Sequence, residues 1–264
     1  MVIKILYFCS FVPYRMLSKN GLEMISIFDT KFGENELPFI SGNPCCFIDK
    51  CGKIDFTKYD GIIFTNCCNS TQRFYDYLKY KYPDMFTYIL EIPRNRYDTA
   101  LEICDLCDKL KMHFNIEINT KEVKDCYVNY LSSNKHILII TSSLSKKYVN
   151  ELEILFKPYQ VYVESCWSEA RGDLFLLNKK TACMRMSDYY EYIIERIKLY
   201  KAVIFITIER CDYCMFTYPV IKQICEDLKI RYLHLEEDYV DSISERSRLR
   251  YDAFIECLRI ESGD

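Results

Sequence analysis

Histidine is scarce in this 264-residue chain, with only His113, His136 and His234 present and far apart. Zinc or copper sites built on paired imidazoles are therefore not expected. Glycine is scarce too, with seven in all, and neither G-x-x-x-x-G-K-[ST] nor G-x-G-x-x-G after a strand occurs. ATP and dinucleotides are not expected to bind by those routes. No apolar run reaches the roughly 18 residues a membrane span needs. The opening MVIKILYFCSFVPYR is interrupted too early for a signal peptide, so a cytoplasmic protein is expected. A formal charge of −3 gives no reason to expect nucleic acid or an anionic membrane as partner.

Cysteine is abundant, with fifteen residues. A reducing compartment keeps thiols free, so disulfides explain them poorly and metal ligation explains them better.

Length and an apolar half of the composition suit two modest α/β domains. Short β-rich runs occupy 4–10, 24–29, 61–66 and 87–92, with helical patterns over 70–82, 97–114 and 120–131. The pattern restarts after Ser132, Ser133 and Asn134, giving domains 1–133 and 134–264. The second half predicts strands over 136–141, 160–164, 202–208 and 230–235, alternating with helices over 145–156, 188–200, 216–228 and 244–258. Such alternation implies parallel, doubly wound sheets, whose ligands collect beyond the carboxyl ends of the strands.

Three cysteine pairs fall in such places. Cys67 and Cys68 follow GIIFTN, Cys211 and Cys214 follow VIFITIER, and Cys45 and Cys46 sit in SGNPCC. An iron-sulfur cubane needs thiolates delivered from separate loops. Adjacent residues of an extended segment point to opposite sides, so a CC pair is expected to serve two neighbouring centres rather than grip one iron. Six ligands in three pairs suit two linked cubanes. Alternatively, one cysteine of each pair ligates while the other packs as a small apolar residue. A zinc-stabilised binding module is the non-redox rival, although of the three pairs only CDYC has the spacing of a zinc knuckle.

Cys104, Cys107, Cys225 and Cys257 read as helix-borne core residues. Cys9, Cys166 and Cys183 lie near strand ends. Of the acids at strand ends, Glu164, Glu169, Glu209, Asp212 and Glu236, Glu209 is the weak candidate for a catalytic role. Arg246, Arg248 and Arg250 read as a solvated helix face or as phosphate contacts.

The stretches ILYFCSFVPYRMLSKNGLEMISI, DGIIFTNCCNSTQRFYDYLK with ILEIPRN, SCWSEARGD, ACMRMSDYYEYI, and AVIFITIERCDYCMFTYPVIKQICEDLKIRYLHLEEDY with RSRLRYDAFIE together resemble the 2-hydroxyacyl-CoA dehydratase and benzoyl-CoA reductase superfamily. The resemblance implies two flavodoxin-like domains facing each other across a cluster-binding cleft. It also implies a [4Fe-4S] cluster on one cysteine from each loop: Cys68, Cys211, and Cys45 or Cys46. Low-potential electrons would come from a separate ATP-dependent iron-sulfur activator, and dehydration would run through a ketyl radical anion of an acyl-CoA thioester. The three pairs look like the superfamily's double-cubane branch, which carries an [8Fe-9S] cofactor on six cysteines and reduces small molecules. The chain is thus expected to act as an anaerobic lyase or oxidoreductase, a homodimer or heterodimer. It passes directly from KDCYVNYLSSN into KHILIITS, where longer members carry an extra helical stretch. That difference leaves acyl-CoA binding open and favours, as a further alternative, a non-catalytic cluster carrier or assembly partner.

Overall fold

The computed structural model describes residues 2–33, 44–92, 99–120, 136–165, 183–239 and 241–262. The chain divides into two compact units, Met1–Asn129 with Cys166–Tyr192, and Tyr130–Ser165 with Ile193–Asp264. The expected link at 132–134 and most of the helix expected over 120–131 lie outside the described residues.

The first unit contains a four-stranded parallel sheet in the order β2-β1-β3-β4: β1 Lys4–Tyr7, β2 Glu23–Ser26, β3 Gly61–Thr65 and β4 Phe86–Leu90. Its helices are α1 Tyr14–Lys19, α2 Cys46–Cys51, α3 Asn69–Lys81 and α4 Thr99–Phe114. Every residue of β3 is buried, as expected of a central parallel strand covered on both faces. Alternating side chains serve two cores. Ile5, Tyr7 and Ile63 pack with Ile103, Leu106, Cys107 and Leu110 of α4. On the opposite side Phe8 stacks on Phe64 at 4.3 Å, and Phe64 meets Phe74 of α3 edge-on at 6.0 Å.

Gly61 opens β3 where no side chain fits. A Cβ there would lie 2.9 Å from Ile5 Cδ1 and 3.0 Å from Phe86 Cβ, on the two flanking strands.

The second unit contains a parallel sheet in the order β6-β5-β7-β8: β5 His136–Thr141, β6 Gln160–Glu164, β7 Ala202–Ile208 and β8 Arg231–Glu237. The central strands β5 and β7 are buried throughout. Helices α5 Lys146–Leu155, α6 Tyr189–Ile197, α7 Asp212–Asp227 and α8 Glu245–Ser262 alternate with these strands in the second half of the chain. The expected doubly wound α/β architecture is present in both units. No described helix is long and apolar enough to cross a membrane.

In each sheet the chain order reverses between the two central strands, β1 and β3 in one, β5 and β7 in the other. Loops at the carboxyl ends of such pairs diverge and leave a crevice.

Candidate functional site

Two of the three cysteine pairs stand at these switch points. β3 ends at Thr65, and α3 begins at Asn69 with Cys68 as its extended N-cap residue. The Cys67 thiol donates to Thr71 Oγ1, and the Cys68 thiol shares the same oxygen, both at 3.2 Å. The expectation that adjacent cysteines splay to opposite sides is therefore corrected. The chain is turning into a helix here, and Thr71 in its first turn gathers both sulfurs. The Cys67 thiol bonded to Cys68, followed by burial, pushes Cys68 far above the ordinary thiol range.

The residue before the pair is fixed from a distance. Asn66 Oδ1 accepts from the Ile92 backbone N–H and from Arg185 Nη1, each at 2.9 Å, while Arg185 Nη2 donates to the Ile92 carbonyl. Arg185 thereby ties the loop after β3 to the loop after β4, within the first unit.

At the second switch point, Arg210 adopts a left-handed conformation (φ 60°) and turns the chain so that the Cys211 N–H reaches back to the Ile208 carbonyl at 2.9 Å. Cys211 is the N-cap of α7, and its carbonyl accepts from the Met215 N–H at 3.1 Å. Cys214, three residues on, is fully buried, whereas Cys211 is half-buried. The Cys211 sulfur accepts from the Cys214 thiol, the Ser142 hydroxyl, and the backbone N–H groups of Cys214 and Tyr213. These donors hold Cys211 below the ordinary thiol range against its burial, and the same Cys211–Cys214 bond, with burial, drives Cys214 up. Ser142 follows β5, so its bond to Cys211 spans the switch point itself. The helix was expected over 216–228. It starts earlier because a cysteine caps it, with Asp212 favourably placed in its positive first turn.

Cys45 and Cys46 open the six-residue α2, Cys45 as N-cap, and both are buried. Fully buried Cys51 closes the same helix; burial above all, then Cys45, raises it. Sequence reasoning passed over Cys51, and its burial in that turn is a packing signal.

Among the remaining cysteines, Cys107 and Cys225 are buried, and burial pushes them up to about 11 and about 12 respectively. Cys104 and Cys257 are exposed, which corrects the expectation of core packing, because each lies on the solvent side of its helix. Cys9 is buried and Cys183 half-buried against the α4 side of the first sheet. Cys166 and Glu169 lie outside the described residues.

Glu209 is exposed, 3.5 Å from Arg210 in an ion pair. It lines an open groove of about 600 Å³ with His234, Glu236, Arg246 and Arg250 at the carboxyl end of β8. Asp212 lies in the first turn of α7. Glu164 is buried in a pair with Arg196 at 2.9 Å. The acid that strand-end reasoning missed is Glu237, buried at the end of β8, whose Oε1 accepts from Tyr148 at 3.0 Å.

Among the described residues, no three His, Cys, Asp or Glu side chains form a group that could hold a metal ion. The structure brings Cys67 to Cys68 and Cys211 to Cys214, while Cys45 and Cys46 are chain neighbours. The donor chemistry fits an iron-sulfur group: soft sulfurs, with the β3 and β7 pairs each beside a hydroxyl at a switch point. For β3 the hydroxyl is Thr71, and for β7 it is Ser142.

Residues 173–258 match the family described as 2-hydroxyglutaryl-CoA dehydratase, D-component, within the superfamily that the sequence resembles. No curated protein matches the sequence. Among solved structures, the chain is similar to the SBP FpvC from Pseudomonas aeruginosa in complex with Mn2+, at 7% identity and a TM-score of 0.30, covering 98% of this chain and 97% of that one. It is also similar to Zn(II)-bound AdcA from Streptococcus pneumoniae, at 10% identity and a TM-score of 0.29, covering 98% of this chain and 57% of that one. Likenesses this distant carry no argument about function.

Proposed function

We propose that this chain, which carries a 2-hydroxyglutaryl-CoA dehydratase D-component match in residues 173–258, is an iron-sulfur component of a 2-hydroxyacyl-CoA dehydratase-type system. The observation that carries this reading is the gathering of thiols at the two switch points, Cys67 with Cys68 on Thr71 and Cys211 with Cys214 beside Ser142. Sequence places Cys45 and Cys46 as the third pair. When bound, the cluster would supply low-potential electrons for dehydration or reduction of a substrate.

The chain's own residues have three tasks in this reading. Ser142 and the first N–H groups of α7 donate to the Cys211 sulfur, which favours its charged, ligating form, and Thr71 holds the sulfurs of Cys67 and Cys68 together. Buried walls such as Phe64 and Phe205 keep water from the strand ends. Arg185 holds the loop that leads into Cys67. Without a P-loop, the chain depends on a separate ATP-dependent activator for its electrons.

A double-cubane reductase of small molecules is the second reading. The convergence of both Cys67 and Cys68 on one hydroxyl favours it, because neither sulfur turns away into the core. Iron and acid-labile sulfide per chain, measured on protein purified without oxygen, decide between them. About eight irons establish the double cubane and about four a single cubane. Zinc without sulfide overturns both. Cys68→Ala and Cys211→Ala are expected to lose iron, while Cys107→Ala and Cys225→Ala retain it.

A further inference from the structure

We propose that Cys211 and Cys214, when no metal is bound to them, form a reversible dithiol–disulfide couple that exchanges with low-molecular-weight disulfides. The two sulfurs already lie within hydrogen-bonding reach of each other. They occupy the N-cap and the first turn of a 16-residue helix that follows a parallel strand, an arrangement in which C-x-x-C supports thiol–disulfide exchange. Their exposure differs in the required sense. Cys211 is half-buried and open to an incoming disulfide, whereas Cys214 is fully buried directly behind it. Ser142 and the N–H groups of Tyr213 and Cys214 converge on the outer sulfur and fix its position beside Cys214.

The exchange balances in two steps. Cys211 Sγ attacks one sulfur of the external disulfide, forming a mixed disulfide and displacing one small thiol. Cys214 Sγ then attacks Cys211 Sγ and displaces the second. The chain loses two S–H hydrogens and gains one S–S bond; the external disulfide is reduced to two thiols, which take up the two protons.

Geometry separates this pair from the other two. Neighbouring residues such as Cys67 and Cys68 have Cα atoms about 3.8 Å apart, short of the roughly 4.4–6.8 Å span of ordinary disulfides. The same limit applies to Cys45 and Cys46. Among the three strand-end pairs, exchange is therefore confined to Cys211 and Cys214. Where Cys211 and Cys214 are also cluster ligands, a consequence that rests on the function proposed above, the closed disulfide withholds both from iron until a thiol reductant reopens it.

The test uses the full-length chain, reduced and free of iron, equilibrated in glutathione buffers of increasing oxidised fraction and quenched with an alkylating agent. Trypsin cleavage after Arg210 and Lys222 leaves both cysteines on one peptide. That peptide is expected to lose two hydrogens and to escape alkylation at both sulfurs together, while Cys67 and Cys68 remain alkylated. Dithiothreitol is expected to restore it, and Cys214→Ser to stop at a glutathione adduct on Cys211. A peptide that stays alkylated at both positions, or that carries two glutathiones without an internal bond, overturns the proposal. Iron loading is measured separately. A chain that closes this disulfide yet never binds iron refutes the cluster function alone; one that loads iron yet never closes it refutes the couple alone.

Discussion

Arg185 Nη1 donates to Asn66 Oδ1 at 2.9 Å across 119 positions of sequence, and through this bond a residue from the second half of the chain holds the loop that enters Cys67. Its second nitrogen takes the Ile92 carbonyl, so the guanidinium spans two strand ends as a rigid fork.

Arg185→Met should leave the Ile92 carbonyl and one lone pair of Asn66 without a donor. A loss of about 2 kcal/mol is expected, in line with hydrogen bonds to charged groups, measured by urea denaturation. Faster alkylation of Cys67 should accompany it. Arg185→Lys, lacking the fork, should recover less than half of that stability; full recovery would show that charge alone matters.

Gly61→Ala should destabilise the first unit by about 1–3 kcal/mol through overpacking. The added Cβ meets Phe86 Cβ at 3.0 Å, an atom that cannot swing aside as the end of the Ile5 side chain can. A combined Gly61→Ala and Ile5→Val protein should therefore regain only part of the loss, measured as a shift in denaturation midpoint.

The buried Glu164–Arg196 pair also bonds Tyr200, whose hydroxyl accepts from Arg196 Nη2 at 2.7 Å. Glu164→Leu alone should cost about 3–5 kcal/mol by stranding a buried cation. Replacing both residues, Glu164→Leu with Arg196→Met, should cost much less than the single change. Equal costs would mean that the pair is screened by solvent.

Alkaline pH should act through Tyr148 and Tyr251. Burial above all raises both phenols above their ordinary value; Tyr251 and Glu237 add to the rise at Tyr148, whereas at Tyr251 the bond to Tyr148 works against it. A raised acid favours folding while it is protonated: its contribution is complete below the unfolded tyrosine value of about 10 and is lost as pH rises beyond it. The melting temperature should fall steeply above that pH, and Tyr148→Phe should flatten the fall. A slope unchanged in this variant would place the alkaline sensitivity elsewhere.

The sequence by itself determined the elements whose causes are local. Uninterrupted β-branched and aliphatic runs specify β5 and β7 at the boundaries observed, because only two-sided burial tolerates them. Their alternation with amphipathic helices specifies parallel sheets, and cysteines placed just beyond strand ends identify the loops of interest. The start of α7 was not legible, since its cap is Cys211 rather than the Ser, Thr, Asp or Asn that marks a helix start. The short α1 and α2 span too few turns to show a period. Only the tertiary structure decided that Cys67 and Cys68 lean on one hydroxyl, that Ser142 reaches Cys211 across the order reversal of the sheet, and that Arg185 belongs to the first unit. Each of these depends on hydrogen bonds between groups whose separation is set by strand order and helix entry, quantities that no stretch of neighbouring residues encodes.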